Sequence, residues 1–344
     1  MITVAVDAMG ADAGPAVVVE GAARASREDV PVRVLLVGDE PTLSALLEDQ
    51  RYDASRLALV HTPEAVAQDQ SPADALAAAP NASVKLACEL VKAGEAQAVV
   101  GAGNTGCLIL SASRTFERLP GIRRAALAAV HPTEQRHGPH DDPFALMLDV
   151  GATISATAED LVGFAVMGSA YSSIVSDIER PKVALLSNGT EAHKGTSAIV
   201  EAHALLRQHP SLNFVGNVEG LDIPKGSVDV VVCDGFLGNV VLKMLEGVSE
   251  VVADIAKDAY ARKFLFKLGL TMLSQGLQQI RRMTDWRQYG GAPLLGLDGV
   301  VIKAHGRSDP RAVRNAIRVA CKAVDRDLAG TIRRGMADRS SSTT

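Results

Sequence analysis

The chain has 344 residues, of which 47% are apolar, 22% charged and only 3% aromatic, and its formal net charge is -5. That balance allows one large core or two lobes, and it excludes a general electrostatic attraction to nucleic acid. No apolar run reaches the roughly 20 residues of a membrane span.

Taken in order, Ile2 to Val6 reads as a strand ending at Asp7, followed by a glycine-containing turn and a helix to about Arg27. The opening MITVAVDAMG lacks a basic region, so no secretory signal is expected and the chain reads as cytoplasmic. Val32 to Val37 and Leu57 to His61 are further strands, with a short helix from Pro41 between them. Gln68 to Ser83 carries Pro72 and Pro80 and reads as a broken helix or loop. A helix over Val84 to Lys92, a strand over Ala96 to Val100 and a glycine-rich turn, GAGNTG, come next. A helix to about Glu117 and a strand over Ala125 to Val130 follow.

His131 to Pro143 reads as an irregular surface insertion. It holds His131, His137, His140, Asp141 and Asp142, which are zinc-type ligand residues without regular ligand spacing, so a solvated loop and no metal are expected. Phe144 to Val150 is a strand, Leu161 to Ser176 a helix, and Val183 to Ser187 a strand ending in Asn188. A helix from about Thr196, a short strand near Leu212 and a buried strand at Val228 to Cys233 lead to Asp234. A long helical region spans Asn239 to Ile280. Ala292 to Leu295 and Val300 to Lys303 form a hairpin pair, Ser308 caps a final helix, and residues 333–344 read as a polar, disordered tail. The four cysteines are far apart in apolar surroundings and read as reduced core thiols.

Strands and helices alternate throughout, which predicts an α/β chain with a mostly parallel sheet. Ligands in such sheets bind beyond the carboxyl ends of strands. Five strand ends carry small and amide residues: GAGNTG, LDVGA, SNGTEAHKG, GNVEG and DGFLGN. Their amides and adjacent helix starts can converge on a phosphate. GAGNTG matches a dinucleotide glycine spacing, yet Arg123 and Arg124 stand where its acidic partner belongs, so no cofactor is expected.

Lys194 precedes a helix, where the macrodipole disfavours a cation, so its placement calls for a reason. Lys303 and His305 share a side if the strand continues, and can neutralise an anion. Asn104, Thr105, Asn188, Asp234, Asn239 and Lys243 are candidate substrate contacts, with helix capping as the alternative for Asp234. The stretch from Asp254 to Leu273 is apolar on two sides, with Phe264, Phe266 and Leu270 beside basic residues. It suits a subunit interface or an anionic membrane surface. Arg262, Lys263, Lys267, Arg281 and Arg282 are the densest basic cluster and suit an acidic partner or lipid.

Together, DAMGADAGP, GAGNTG, LDVGA, GNVEG, DVVVCDGFLGNVVLK and YGGAPLLGL…VIKAHG resemble, in collinear order from Met1 to about Leu328, the phosphate acyltransferase (PlsX) family of bacterial phospholipid synthesis. The resemblance implies a three-layer α/β/α sandwich akin to isocitrate dehydrogenase and phosphotransacetylase, usually homodimeric, with a protruding helical region. It implies transfer of a long-chain acyl group from acyl carrier protein to inorganic phosphate without a cofactor. The acyl phosphate then feeds an acylphosphate:glycerol-3-phosphate acyltransferase at the membrane, and the family associates peripherally with that surface. Thr153 stands where the family has Asn, and alanines replace its basic residues between Gln68 and Lys92. An acyl-CoA phosphotransacetylase, a nicotinamide-dependent dehydrogenase and a non-catalytic carrier-protein scaffold are the alternatives.

Overall fold

The computed structural model describes residues 1–66, 70–262, 290–304 and 308–341. Its strands are β1 (Ile2–Asp7), β2 (Val32–Gly38), β3 (Leu57–His61), β4 (Ala98–Gly101), β5 (Ala126–His137), β6 (Asp142–Leu148), β7 (Lys182–Leu186), β8 (Asn213–Val218), β9 (Val230–Val232), β10 (Ala292–Leu295) and β11 (Val300–Lys303). Its helices are α1 (Pro15–Ser26), α2 (Glu40–Glu48), α3 (Pro72–Ala78), α4 (Ser83–Lys92), α5 (Thr105–Thr115), α6 (Ala158–Val175), α7 (Ser197–Arg207), α8 (Asp222–Lys225), α9 (Gly235–Arg262), α10 (Pro310–Asp325) and α11 (Leu328–Ser341).

The described strands join in one sheet, in the order β3-β2-β1-β4-β11-β10-β5-β6-β9-β7-β8. Strands β3, β2, β1, β4 and β11 are mutually parallel. So are β6, β9, β7 and β8. Between the two groups, β10 is antiparallel to both β11 and β5, and β5 is antiparallel to β6. Three reversals make the second group run opposite to the first, and the register brings their carboxyl ends towards each other: Leu148 lies opposite Ala128, Leu127 opposite Leu294, and Leu294 opposite Val301.

Both faces are covered. On one, Ala5, Val99, Val301, Leu127, Met147 and Val231 pack against α3, α4 and α5, with Leu237, Val241, Leu242 and Leu245 of α9 at the margin. On the other, α1, α2 and α10 cover the first strand group, while α6, α7 and α11 cover the second. The three-layer α/β/α sandwich that the resemblance implies is present. Burial on both faces explains why the strands read as continuous Val, Leu and Ala runs.

Helix starts follow local chemistry. Asp39, Ser71, Asn104, Thr157, Thr196 and Asp309 each accept a hydrogen bond from an amide of the turn that follows. Each such cap contributes about 1 kcal/mol. Asp309, not Ser308, caps α10; Ser308 is buried instead.

Two expectations are corrected. The stretch from His131 to Pro143 is the outer half of the β5–β6 hairpin, not an irregular loop. Its alternation was hidden because His131 and His137 point inward and are buried. His131 Nε2 lies 3.2 Å from the Ile223 carbonyl, and burial pulls its imidazole down to about 4. His137 Nδ1 lies 2.7 Å from Asp229 Oδ1, which ties the hairpin to the start of β9. Among the described residues no group of three or more His, Cys, Asp or Glu is arranged to hold a metal ion. The polar tail is likewise helical as far as Ser341, and Met336 is buried against the α6 layer.

Candidate functional site

The first group of strand ends places three residues in one row. Asp7 pairs in register with Gly101, and Gly101 with Lys303. Residues in register on parallel strands share a face, and each lies two positions after Ala5, Val99 or Val301, so the row faces α4, α5 and α9. Asp7 is 1% exposed. Its Oδ1 accepts from Ser83 Oγ at 2.6 Å and from the Met9 amide at 3.3 Å. Burial pushes its carboxyl up, while Ser83, Met9, Lys303 and the Gly10 amide act against that shift.

Lys303 is 6% exposed, and its ammonium donates to the Ala304 carbonyl. Burial draws it down to about 8; Asp12 and Asp7 oppose the fall, and Lys243 adds to it. The turns on either side approach closely. A Cβ on Gly10 would lie 2.7 Å from the Gly103 Cα, so only glycine fits there. Asn104 is spent on structure, its Oδ1 accepting from the Cys107 amide at 3.1 Å, and Thr105 opens α5 half-buried beside it.

The second group is organised by Asp149, which is fully buried. Its Oδ1 accepts from the Leu127, Gly151 and Ala152 amides at 2.9, 3.1 and 3.0 Å, and Oδ2 accepts from Thr153 at 2.7 Å. Within LDVGA the Gly151 and Ala152 amides are therefore committed to this carboxylate, and those of Asp149 and Val150 to the Cys233 and Leu127 carbonyls, rather than open to a phosphate. Thr153 Oγ1 in turn accepts from the Gly235 amide at 3.2 Å. A Cβ on Gly238 would fall 1.9 Å from the Asp149 carbonyl, so α9 starts pressed directly onto this loop.

Asp234 Oδ1 accepts from the Leu237 amide at 2.9 Å, the helix-capping alternative. Asn239 is exposed, with its side chain beside Gly151. Asn188 is also exposed, its Oδ1 accepting from Ser187 Oγ at 3.4 Å. Lys194 is half-buried, runs along Gly189 and makes no ion pair among the described residues. Its loop is held by Asn217 Nδ2, which donates to the Glu191 carbonyl at 2.9 Å.

Helix α9 links the two groups. It leaves the carboxyl end of β9, passes Gly151 at Asn239, and one turn later carries Lys243 close enough to Lys303 for their charges to repel. Lys243 itself is exposed and pairs with Glu246 at 2.7 Å. Lys303, Asp7, Asp12 and Lys243 thus form one cluster; Asn239 and Asp234 surround the Asp149 loop; Asn188 and Lys194 share the loop after β7. The sequence reading gave Asp7, Ser83, Asp149 and Thr153 no role. Its one available signal was that two apolar strands each end in Asp, at Asp7 and Asp149.

His305, Lys263, Phe264, Phe266, Lys267, Leu270, Arg281 and Arg282 lie outside the described residues, and of Arg262 only the helical backbone is described. No described helix is long and apolar enough to cross a membrane. A feature the sequence reading missed lies on α9, where Phe236, Val240, Met244, Val248, Val251, Val252 and Ile255 form an exposed apolar stripe.

Comparisons with known proteins fit this architecture. The EutD phosphotransacetylase from Staphylococcus aureus matches with a TM-score of 0.61 at 17% identity, covering 94% of each chain. A phosphotransacetylase from Streptococcus pyogenes matches with a TM-score of 0.61 at 18% identity, over the same shares. These likenesses establish the shared fold. By sequence, a phosphate acyltransferase of Citrifermentans bemidjiense is 45% identical over 92% of this chain and 88% of its own length. One of Clostridium perfringens is 38% identical over 96% and 95%. The family described as fatty acid synthesis protein matches residues 2–331, and with these relatives it shows that the chain belongs to the phosphate acyltransferase family.

Proposed function

We propose that this chain transfers a long-chain acyl group from acyl carrier protein to inorganic phosphate. A phosphate oxygen attacks the thioester carbonyl, the carbon–sulfur bond breaks, and the products are acyl phosphate and the carrier's free thiol. The supporting observation is Lys303, a buried ammonium at a strand end with a single carbonyl acceptor among the described residues, in a chain of the phosphate acyltransferase family. A buried cation with protons to spare suits an anion. Lys194, without an ion pair among the described residues and beside its strand end, is the second cation for the oxyanion that develops on the carbonyl. Asn188 and Asn239 orient the acyl group, and His305 assists the leaving thiolate. Asn104 and Asp234 serve by capping the helices that frame the site, and Lys243 adjusts the charge at Lys303.

The test is to mix long-chain acyl-carrier protein with phosphate and follow free thiol and acyl phosphate together. Thiol release that depends on phosphate is expected, and Lys194→Ala should lower it about 100-fold with the fold intact. Thiol release independent of phosphate rejects the reaction. Equal turnover of acetyl-CoA would replace the carrier-protein donor with the phosphotransacetylase reading.

The α9 stripe supports a homodimer, because seven large apolar side chains exposed along one helix are unusual for a monomer. Light scattering should give twice the chain mass; a monomer that turns over normally would reject it. The basic and apolar residues from Arg262 to Arg282 support docking of the acidic carrier and peripheral association with an anionic membrane. There the acyl phosphate passes to an acylphosphate:glycerol-3-phosphate acyltransferase. Failure to float with anionic vesicles would remove the membrane role.

A further inference from the structure

To hold phosphate, the Lys303 ammonium must keep its proton in a buried position. Desolvation favours the neutral amine, and the Ala304 carbonyl alone is a modest partner. The groups facing Lys303 are Asp7 on β1, Asp12 in the following turn and Lys243 on α9. Cys88 of α4 and Cys107 of α5 stand around Asp7, and burial pushes both thiols up, so they stay neutral. Asp12 is exposed, and Asp7 is the one buried anion among these groups.

Asp7 is also the anchored one. Donors from Ser83 Oγ and from the Met9 and Gly10 amides converge on its carboxylate. Burial pushes the Asp7 carboxyl up, and these donors, with Lys303 itself, oppose that shift and favour the ionised form. The row Asp7–Gly101–Lys303 sets the distance. Two strand spacings separate the end residues, roughly 10 Å between backbones, and Gly101 places no side chain between them. The Lys303 ammonium donates to the neighbouring Ala304 carbonyl and makes no direct ion pair to Asp7 among the described residues. It therefore keeps donors open for a ligand.

We infer that Asp7, anchored by Ser83, is a positioning residue that keeps the Lys303 ammonium charged and aimed across Gly101 at the phosphate. This rests on the acyl-transfer reading. Asp7 touches no reacting atom; it acts through Lys303.

The experiment reads Lys303 directly, by NMR of 13C-methylated lysines with Lys303→Arg identifying the signal, in the full chain. In Asp7→Asn, which keeps shape but loses charge, the Lys303 titration should move below its value of about 8. Steady-state kinetics of the same variant should show KM for phosphate raised at least about 10-fold at pH 8, with kcat changed less. That difference should narrow near pH 6, where the amine is protonated in both proteins. An unmoved Lys303 titration overturns the inference, whatever the activity. If Asp7→Asn does not fold, Ser83→Ala decides. Loss of that hydrogen bond makes Asp7 a weaker acid and must shift Lys303 in the same direction, and no shift again overturns it. A parent chain with no phosphate-dependent turnover would reject the acyl-transfer reading instead, and the titration would still report on Asp7.

Discussion

Asp149→Ala should be the most destabilising single change in the chain, costing at least about 4 kcal/mol. Four backbone amides end on this buried carboxylate, and truncation leaves them unpaired in the core. Each buried donor without a partner costs roughly 1–3 kcal/mol, with partial relaxation lowering the sum. The damage would spread, because the same loop seats the first turn of α9 through Thr153 and Gly238. Asp149→Asn should fall between parent and alanine. Its oxygen can still serve the three amides on Oδ1, but an amide nitrogen would face the Thr153 N–H. Chemical denaturation reads all three proteins; an alanine variant within about 1 kcal/mol of the parent would show that the loop holds itself.

Lys303→Met should separate activity from stability. Turnover should fall about 100- to 1000-fold if this cation carries the phosphate. Stability should hold or rise, because a buried ammonium is replaced by an apolar chain of similar length. The pH dependence has a definite sign. The folded amine titrates at about 8, below its ordinary 10.5, so between those values the unfolded chain binds more protons. The parent therefore gains stability as pH rises through that window, by about 3 kcal/mol in all. Lys303→Met should lose this rise. Lys303→Arg, charged at every accessible pH, should move the alkaline limb of kcat/KM for phosphate upward if it retains turnover. Destabilisation by Lys303→Met at pH 7, with activity intact, would make the lysine a structural residue.

Most of the layer architecture was legible because it follows from local rules. Buried parallel strands read as Val and Leu runs, whereas the helix caps went largely unassigned, and the one placed outright, Ser308, lies one residue before the true cap, Asp309. The hairpin of Ala292 and Val300 followed from two short apolar segments around Gly296 and Asp298. What could not be read was direction and distance. Nothing local to β6 tells that it runs against β5, so the facing of the two groups of strand ends towards each other was invisible. The β5–β6 hairpin was missed because its inward positions include histidines, which break the apolar alternation. At the site, five glycine-rich loops looked alike as anion cradles. Only three-dimensional pairing shows that one is already filled by its own Asp149, and that Asp7 faces Lys303 across Gly101.

The reversal between the two strand groups also sets how motion is divided along α9. The helix is seated on the Asp149 loop at one end, and its contact with the site lies at Asn239 and Lys243. From Lys243 to Arg262 it extends about 28 Å, at 1.5 Å per residue. A tilt of about 5° pivoting at Asn239 and Lys243 would swing the Arg262 backbone by roughly 2.5 Å, while moving those two residues by tenths of an ångström. The helix is therefore a lever with its fulcrum at the candidate site. Whatever grips its far end works with a long mechanical advantage over Asn239 and Lys243.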